Sequence, residues 1–435
     1  MARQHGAQQD RQRHDGRLWP LLGGLVCSLL LAAPVAAATS SNSSACRLPA
    51  DQNTYLSPGF DYKLDCAPSN GTLRGLMLFV DFPDQTAAAD ETPQSLHDFF
   101  LPAAAQWYAT VSYGRLVLNV TADTSRFYRM PARADSYGWQ RGLTSAAHQK
   151  YIQDALEAYS AANTVATAVA APALPAVDVL YVVPTRRATA ISFSTTYTNE
   201  VRTRGTPGTH VARKCVTVGM DAYSTWKFKV LNHETGHAMC LPDLYPLPSG
   251  PTGRYVGGWD IMGYINGPDP DYFAWHKWKL GWLDDDEVDC VVRDGGRGQG
   301  RGAGAHEASV SEHTLQPLEG GIIAGNGITR AVVVRHNATA VLVAEARTKR
   351  GADTAACATG VLLYTVSTVT DTGKGPIRVL DATPNSRGCA GEELNDAPLT
   401  LGGPGPSSFA VADWGINVTV MGQIGDVYTI RIVMS

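Results

Sequence analysis

The stretch Leu231–Tyr245, LNHETGHAMCLPDLY, contains two histidines, His233 and His237, that flank Glu234 in the pattern His-Glu-x-x-His. Residues four positions apart lie on one face of an α-helix, so both imidazoles can reach a single ion at the ~2.0–2.1 Å of a Zn–N bond. Glu234 is rotated off that face, where a carboxylate beside the ion can accept a proton from water. The pattern therefore predicts a zinc site with Glu234 as catalytic base. The alternative is an ordinary helix that carries two histidines by coincidence.

The residues that follow the second histidine are predicted to supply a third ligand, because a catalytic zinc takes three protein ligands and a water. The helix is expected to run from Trp226 to about Met239, with Thr225 as its N-cap. Pro242 agrees with a helix that has already ended, so the chain can turn and bring Asp243 to the metal. The spacing His-Glu-x-x-His-x5-Asp is typical of the metzincin branch of zinc peptidases, with aspartate in place of a third histidine.

A second motif, GGWDIMGY at Gly257–Tyr264, follows about 20 residues downstream. Metzincins place a tight turn with a methionine under the zinc, the Met-turn. Met262 is expected to be that residue, as an apolar floor rather than a ligand. Tyr264 matches the position where some metzincins carry a tyrosine that stabilises the tetrahedral intermediate. Core packing alone is the alternative for both residues.

Composition and the N-terminus indicate an exported globular protein. The 435 residues are 44% hydrophobic and 17% charged, and the formal net charge of −4 does not suggest a nucleic-acid partner. Four arginines precede the apolar run LWPLLGGLVCSLLLAAPVAAA, and Ala36 and Ala38 fit a cleavage signal. Residues 1–38 are therefore predicted to be a signal peptide, with an uncleaved anchor as the alternative and no stable membrane span after cleavage. Glycosylation sequons occur at Asn42, Asn70, Asn119, Asn337 and Asn417.

Seven cysteines remain once Cys27 leaves with the leader. In an oxidising compartment most should form disulfides, and an odd count leaves at least one without a partner in the chain. Proximity in sequence favours the pairs Cys46–Cys66 and Cys357–Cys389, although spacing alone cannot establish connectivity.

The composition of the sequence changes near Val288, where we expect a domain boundary. The expected parts of the chain are an N-terminal segment (39–72), a catalytic domain (73–287) and a C-terminal domain (288–435). In the catalytic domain, VDVLYVVP (Val177–Pro184) is predicted to be a central strand and ATAISFSTTY (Ala188–Tyr197) an edge strand that pairs with a peptide substrate. The Gly/Arg-rich residues 292–307 are predicted to be a surface loop rather than an RNA-binding segment. Beyond them lie seven short strand candidates, which together indicate an antiparallel β-sandwich: TRAVVVRH, ATAVLVAEAR, GVLLYTV, IRVLDA, SSFAVADWG, INVTVMG and DVYTIRIV.

Taken in order, several blocks of the chain resemble the secreted metallopeptidases similar to immune inhibitor A: LMLFVDFPD, WYATVSYGRL, HETGHAMCLPDLY, GGWDIMGY and WHKWKLGWL. Two further segments, VLVAEAR and GPIRVLDA, resemble parts of that family's C-terminal region. The resemblance covers most of Leu73–Val433. It implies an α+β zincin (metzincin-like) catalytic domain and an endopeptidase that acts on extracellular proteins. It also implies His233, His237 and Asp243 as zinc ligands, Glu234 as base and Met262 as the Met-turn residue.

Two features depart from that family. Cys240 stands where the family has glycine, which would permit a left-handed backbone that costs other residues roughly 1 kcal/mol or more. A disulfide from Cys240, with Cys215 as the suggested partner, is expected to hold this turn instead. No long inhibitory pro-segment is visible between the leader and the first strand.

Two other functional classes remain as alternatives to a peptidase. The first is a secreted zinc-binding protein without turnover that binds partners through its β-sandwich, and the intact Glu234 argues against it. The second is an adhesin or carbohydrate-binding module, for which no aromatic sugar platform is recognisable. Calcium has no support in the sequence, and the expected substrates are proteins or peptides.

Overall fold

The structure is a computed structural model that describes residues 43–62, 65–140, 142–167, 175–205, 208–224, 226–268, 270–293, 308–320 and 327–435. The predicted leader, Asn42, the predicted N-cap Thr225 and most of the Gly/Arg-rich stretch lie outside the described residues. Within the described part of the chain, no helix is long and apolar enough to cross a membrane. Residues Thr39–Ser435 form one compact unit.

The first part of this unit is built on a mixed sheet with the strand order β2-β1-β4-β7-β5, in which β3 also pairs with β1 and β6 with β7. Pairing is parallel except that β5 and β6 run antiparallel to β7. The central position predicted for Val177–Pro184 is confirmed. The predicted edge strand is also at the edge, although it is only three residues long. The strands are β1 Gly71–Asp81, β2 Leu116–Ala122, β3 Tyr128–Arg129, β4 Val177–Pro184, β5 Thr195–Tyr197, β6 Val201–Arg202 and β7 His210–Thr217.

Helices cover both faces of this sheet, which explains why its central strands are apolar on both sides. Side chains alternate between the faces of a strand. In β1, Met77 and Phe79 therefore join the core shared with the first, third and fourth helices, whereas Leu78 joins the core shared with the second. The helices are α1 Pro93–Val111, α2 Ser145–Thr167, α3 Phe228–Ala238 and α4 Ala274–Lys279.

The C-terminal part contains two further sheets, of five strands in the order β13-β12-β11-β10-β8 and of four strands in the order β14-β15-β16-β9. Neighbouring strands are antiparallel except for β8 and β10, which pair in parallel. Each of the seven predicted stretches contains a strand, and β8 and β9 are additional. The strands are β8 Val288–Val291, β9 Ser309–Leu315, β10 Ala331–Arg335, β11 Ala340–Arg347, β12 Gly360–Ser367, β13 Ile377–Val379, β14 Ser408–Val411, β15 Ile416–Ile424 and β16 Val427–Met434.

The five-stranded sheet contributes to two cores at once. Val332 and Val334 of β10 pack in a cluster with residues of the four-stranded sheet, such as Val418. Val333, on the opposite face of the same strand, belongs to the large cluster that contains Trp275 of α4. The core therefore continues across Val288.

Among the cysteines that the structure describes, the disulfides are Cys46–Cys290, Cys66–Cys240 and Cys357–Cys389, and Cys215 is buried with a free thiol. The predicted pair Cys357–Cys389 is confirmed, whereas Cys46–Cys66 and Cys215–Cys240 are wrong. Cys215 points into the core under α2, on the face of the sheet away from α3, so it cannot reach Cys240. The partners of Cys46 and Cys66 are 244 and 174 residues away in sequence, which proximity along the chain could not indicate.

Candidate metal centre

Helix α3 carries the His-Glu-x-x-His pattern and lies against α1 and the strands β5 and β7. It starts at Phe228, two residues later than predicted, and Lys227 occupies the N-cap without a side-chain hydrogen bond to the helix. Every residue from Val230 to Ala238 is buried. Because the helix packs against these elements, its two histidines have little freedom to reorient.

The three predicted ligands converge on one point. Asp243 Oδ1 lies 3.3 Å from His233 Nε2 and 3.1 Å from His237 Nε2. One ligand atom from each residue lies within 4.8 Å of the others, and within the described residues no second group of this kind occurs. Both histidines are buried, and Asp243 is nearly so.

Hydrogen bonds at the opposite ring nitrogens orient both imidazoles. His233 Nδ1 lies 2.8 Å from the carbonyl oxygen of Ile261, and His237 Nδ1 lies 2.8 Å from that of Leu241. A carbonyl can only accept, so each Nδ1 carries the proton and donates. When the ring is neutral, Nε2 therefore keeps its lone pair and faces Asp243, which is the tautomer a metal ligand requires.

The donor set fits a divalent cation. Asp243 Oδ1 is buried beside Nε2 of both imidazoles, so when both rings are neutral three lone pairs face one another. Burial lowers the pKa of His237, but the Asp243 carboxylate outweighs it and raises that pKa to about 9. The same negative field that favours a proton favours a cation. Two imidazole nitrogens and one carboxylate oxygen are a ligand set typical of zinc at a catalytic site.

The turn after α3 positions Asp243 through Cys240, whose φ of 66° is left-handed. The N–H of Cys240 donates to His237 O at 2.9 Å and the N–H of Leu241 to Gly236 O at 3.0 Å, the pattern of a Schellman cap. A disulfide does hold Cys240, as expected, but its partner is Cys66 in the N-terminal segment. This linkage ties the N-terminal segment to the turn that precedes Asp243.

Met262 lies directly beneath the middle of α3. A Cβ added at Gly236 would approach Met262 Sδ to 2.5 Å, so the helix and the methionine are in close contact only because residue 236 is glycine. The tight turn is closed by the N–H of Gly263, which donates to Asp260 O at 2.9 Å. The turn also presents the Ile261 carbonyl that orients His233.

Two residues of this region were not identified from the sequence. Asp260 accepts hydrogen bonds from the N–H of Met262 and from His276 Nδ1, both at 2.8 Å. These bonds stabilise the tight turn that contains Met262. Thr196 of β5 donates through its hydroxyl to Glu234 Oε2 at 2.8 Å. Neither has a distinctive sequence pattern, because Asp260 and His276 are 16 residues apart in the chain and Thr196 and Glu234 are 38 apart.

Glu234 lies beside the three ligands and is buried. Burial raises the pKa of its carboxyl, and the neighbouring His237 and His233 partly oppose that rise. The hydrogen bond from Thr196 holds one carboxylate oxygen, and the second is available to a molecule in the adjacent cleft. A carboxylate of raised pKa at this position is suited to accept and return a proton.

The site opens into a cleft of about 810 Å³ that the three ligands, Glu234 and residues of β5 line together. Tyr264 also lines the cleft, as does Tyr245, whose ring lies over His233 with centroids 6.1 Å apart. A third tyrosine, Tyr55, enters from the N-terminal segment and hydrogen-bonds Thr198 Oγ1 at 2.8 Å. Of these three tyrosines, the sequence predicts a role in the site for Tyr264 only.

The four described sequons have exposed asparagines: Asn70, Asn119, Asn337 and Asn417. Asn70 differs from the others because its side-chain nitrogen donates to the carbonyls of Leu280 and Gly281, at 3.1 and 3.2 Å. A glycan attached to that nitrogen would replace one of its two hydrogens.

Comparison with known proteins gave no matching family model, and no curated protein matched the chain. The function of this chain must therefore be inferred from the geometry and chemistry of the site.

Proposed function

We propose that this chain is a zinc-dependent endopeptidase that hydrolyses peptide bonds of extracellular proteins. The observation that carries the proposal is the convergence of His233 Nε2, His237 Nε2 and Asp243 Oδ1 beside a buried glutamate at the floor of a large cleft. In this proposal the part of the chain built on the mixed sheet is a zincin (metzincin-like) domain and the two C-terminal sheets are a β-sandwich.

Zinc held by the three ligands would supply Lewis-acid polarisation of a substrate carbonyl and would acidify a water molecule bound to it. Glu234 accepts the proton of the attacking water and later delivers it to the leaving amine. Thr196, which donates to one oxygen of Glu234, keeps that carboxylate oriented during both transfers. Tyr264 or Tyr245 lies at the cleft wall, where a phenol can donate to the developing oxyanion.

An extended peptide is the substrate that the cleft suits best. Strand β5 pairs with β7 on one side only, and among the described residues no strand covers its other edge. Its residues Thr195 and Thr196 line the cleft next to Glu234. A peptide added along this edge would receive main-chain hydrogen bonds and present its scissile bond to the site.

An oxidising, extracellular location is part of the same proposal. It is supported by the three disulfides and by the exposed asparagines of the four described sequons. The leader predicted from the sequence supports it as well.

Casein cleavage with and without a zinc chelator tests the peptidase proposal. We expect wild-type protein to cleave casein, chelation to stop cleavage, and Glu234→Gln to reduce the rate by at least about 100-fold because the proton acceptor is lost. Glu312→Gln, which changes an exposed carboxylate on β9, is the matched control and should cleave normally.

Cleavage that survives the chelator, or a Glu234→Gln variant as active as wild type, would contradict the proposal. Zinc binding by wild type without any cleavage would instead favour a binding protein that does not turn over substrate.

A further inference from the structure

The backbone of Asp243 is hydrogen-bonded to a loop of the C-terminal part, residues 368–376, which connects β12 to β13. The N–H of Asp243 donates to Thr372 Oγ1 at 2.8 Å, and the N–H of Gly373 donates to Asp243 O at 3.0 Å. A third bond joins the N–H of Leu247 to Gly373 O at 2.9 Å. Both backbone polar groups of the predicted third ligand are therefore satisfied by this one loop.

The 368–376 loop has a defined shape that suits it to hold another segment. Gly373 has a left-handed φ of 72°, and a Cβ there would lie 2.5 Å from Leu247 Cβ, so glycine permits both the conformation and the close approach. The hydroxyl of Thr370 donates to Ser367 Oγ at 2.8 Å, and the N–H of Ser367 donates to Pro376 O at 2.8 Å. The base of the loop is thus closed by its own hydrogen bonds.

The carboxylate of Asp243 needs such external support. Its Oδ1 is buried, and with both imidazoles in the neutral, Nδ1-protonated form no donor directs that oxygen toward them. Pro242 precedes it and has no N–H with which to anchor the turn. The direction of the carboxylate therefore depends on the backbone at residue 243, which Thr372 and Gly373 fix.

We propose that Thr372 and Gly373 are positioning residues of the metal centre and that the C-terminal part sets the affinity of the site for zinc. The inference rests on the proposed zinc site. Partners that orient metal ligands from outside contribute strongly to metal affinity, and their loss typically lowers it about 10- to 100-fold. A site assembled in this way is complete only when both parts of the chain are folded together.

Zinc affinity of the full chain, measured by competition with a chromophoric chelator, tests the proposal. Thr372→Val keeps the volume of threonine but removes the acceptor, so we expect zinc affinity to fall about 10- to 100-fold. Thr372→Ser keeps the hydroxyl and should restore affinity to within about threefold of wild type, since the same bond can form. Thr370→Val, which removes a hydroxyl from the same loop without contacting Asp243, is the matched control.

Circular dichroism of each chelator-treated variant separates positioning from general damage to the fold. Unchanged zinc affinity in Thr372→Val, or an equal loss in Thr370→Val, would overturn the proposal. If Thr372→Val does not fold, Thr372→Ala is compared with Thr372→Ser, and wild-type affinity in the alanine variant would overturn it equally.

Casein cleavage plays no part in this readout, so the two proposals fail in different ways. Wild type that binds zinc without cleaving casein would contradict the peptidase alone. Wild type that binds no zinc would overturn both.

Discussion

Cys240 occupies the backbone position that ends α3 and turns the chain toward Asp243. Its φ of 66° lies in the left-handed region, where an L-residue other than glycine is disfavoured by roughly 1 kcal/mol or more. The disulfide to Cys66 and the hydrogen bond from Lys279 Nζ to Cys240 O, at 3.1 Å, hold the residue there. The residue with the strained backbone thus lies three positions before Asp243, a predicted metal ligand.

Two double variants test whether the left-handed conformation at residue 240 carries this cost. Cys66→Ala/Cys240→Gly and Cys66→Ala/Cys240→Ala both lack the disulfide, so its loss affects them equally. We expect the glycine variant to be more stable by about 1 kcal/mol, because glycine adopts positive φ without a Cβ clash. Urea denaturation followed by circular dichroism measures the difference, and equal free energies of unfolding would contradict the explanation.

Helix α4 connects two elements around the site through its last residue, Lys279. The Nζ of Lys279 donates to Ser57 O at 2.7 Å, in the N-terminal segment, and to Cys240 O at the end of α3. Burial lowers the pKa of Lys279 from its ordinary value of 10.5 to about 7. Its protonation in the folded state therefore changes near neutral pH.

The pKa of Lys279 predicts how stability depends on pH. Between about pH 7 and 10.5 the unfolded chain binds a proton at this lysine that the folded chain has released, so the free energy of unfolding rises with pH across that window. Below pH 7 both states are protonated and this contribution to the slope disappears. Lys279→Met should remove it, whereas Lys349→Met, at an exposed position, should not.

Urea denaturation of wild type and both variants from pH 6 to 9.5 measures the effect. A wild-type curve parallel to that of Lys279→Met throughout this range would show that the lysine titrates at its ordinary pKa.

At the scale of elements, strands with continuous apolar runs were predictable from the sequence and polar or very short ones were not. β4, VDVLYVVP, is buried along its whole length and was predicted as central. β9, SVSEHTL, alternates between exposed and half-buried residues and has no apolar run, and β8 has only four residues. These two strands form because β10 and β16 are available to pair with β8 and β9. The sequence of each short strand does not itself indicate that such a partner exists.

At the scale of the whole molecule, the local part of the site was predictable and its supports were not. His233, Glu234 and His237 lie within five residues, so helical geometry alone brings them together. The supports come from distant segments: Cys66 from the N-terminal segment and Thr372 from the loop after β12. Contacts over such separations leave no periodicity or spacing in the sequence, and neither does the core that residues on both sides of Val288 share.

The presence and place of the metal can be measured directly by anomalous diffraction from a crystal of the zinc-loaded chain, recorded above and below the zinc absorption edge. The proposed centre predicts one strong anomalous peak about 2.0–2.2 Å from His233 Nε2, His237 Nε2 and a carboxylate oxygen of Asp243. No peak between these three residues, or a stronger peak bound by other side chains, would contradict the assignment of this site as the metal centre.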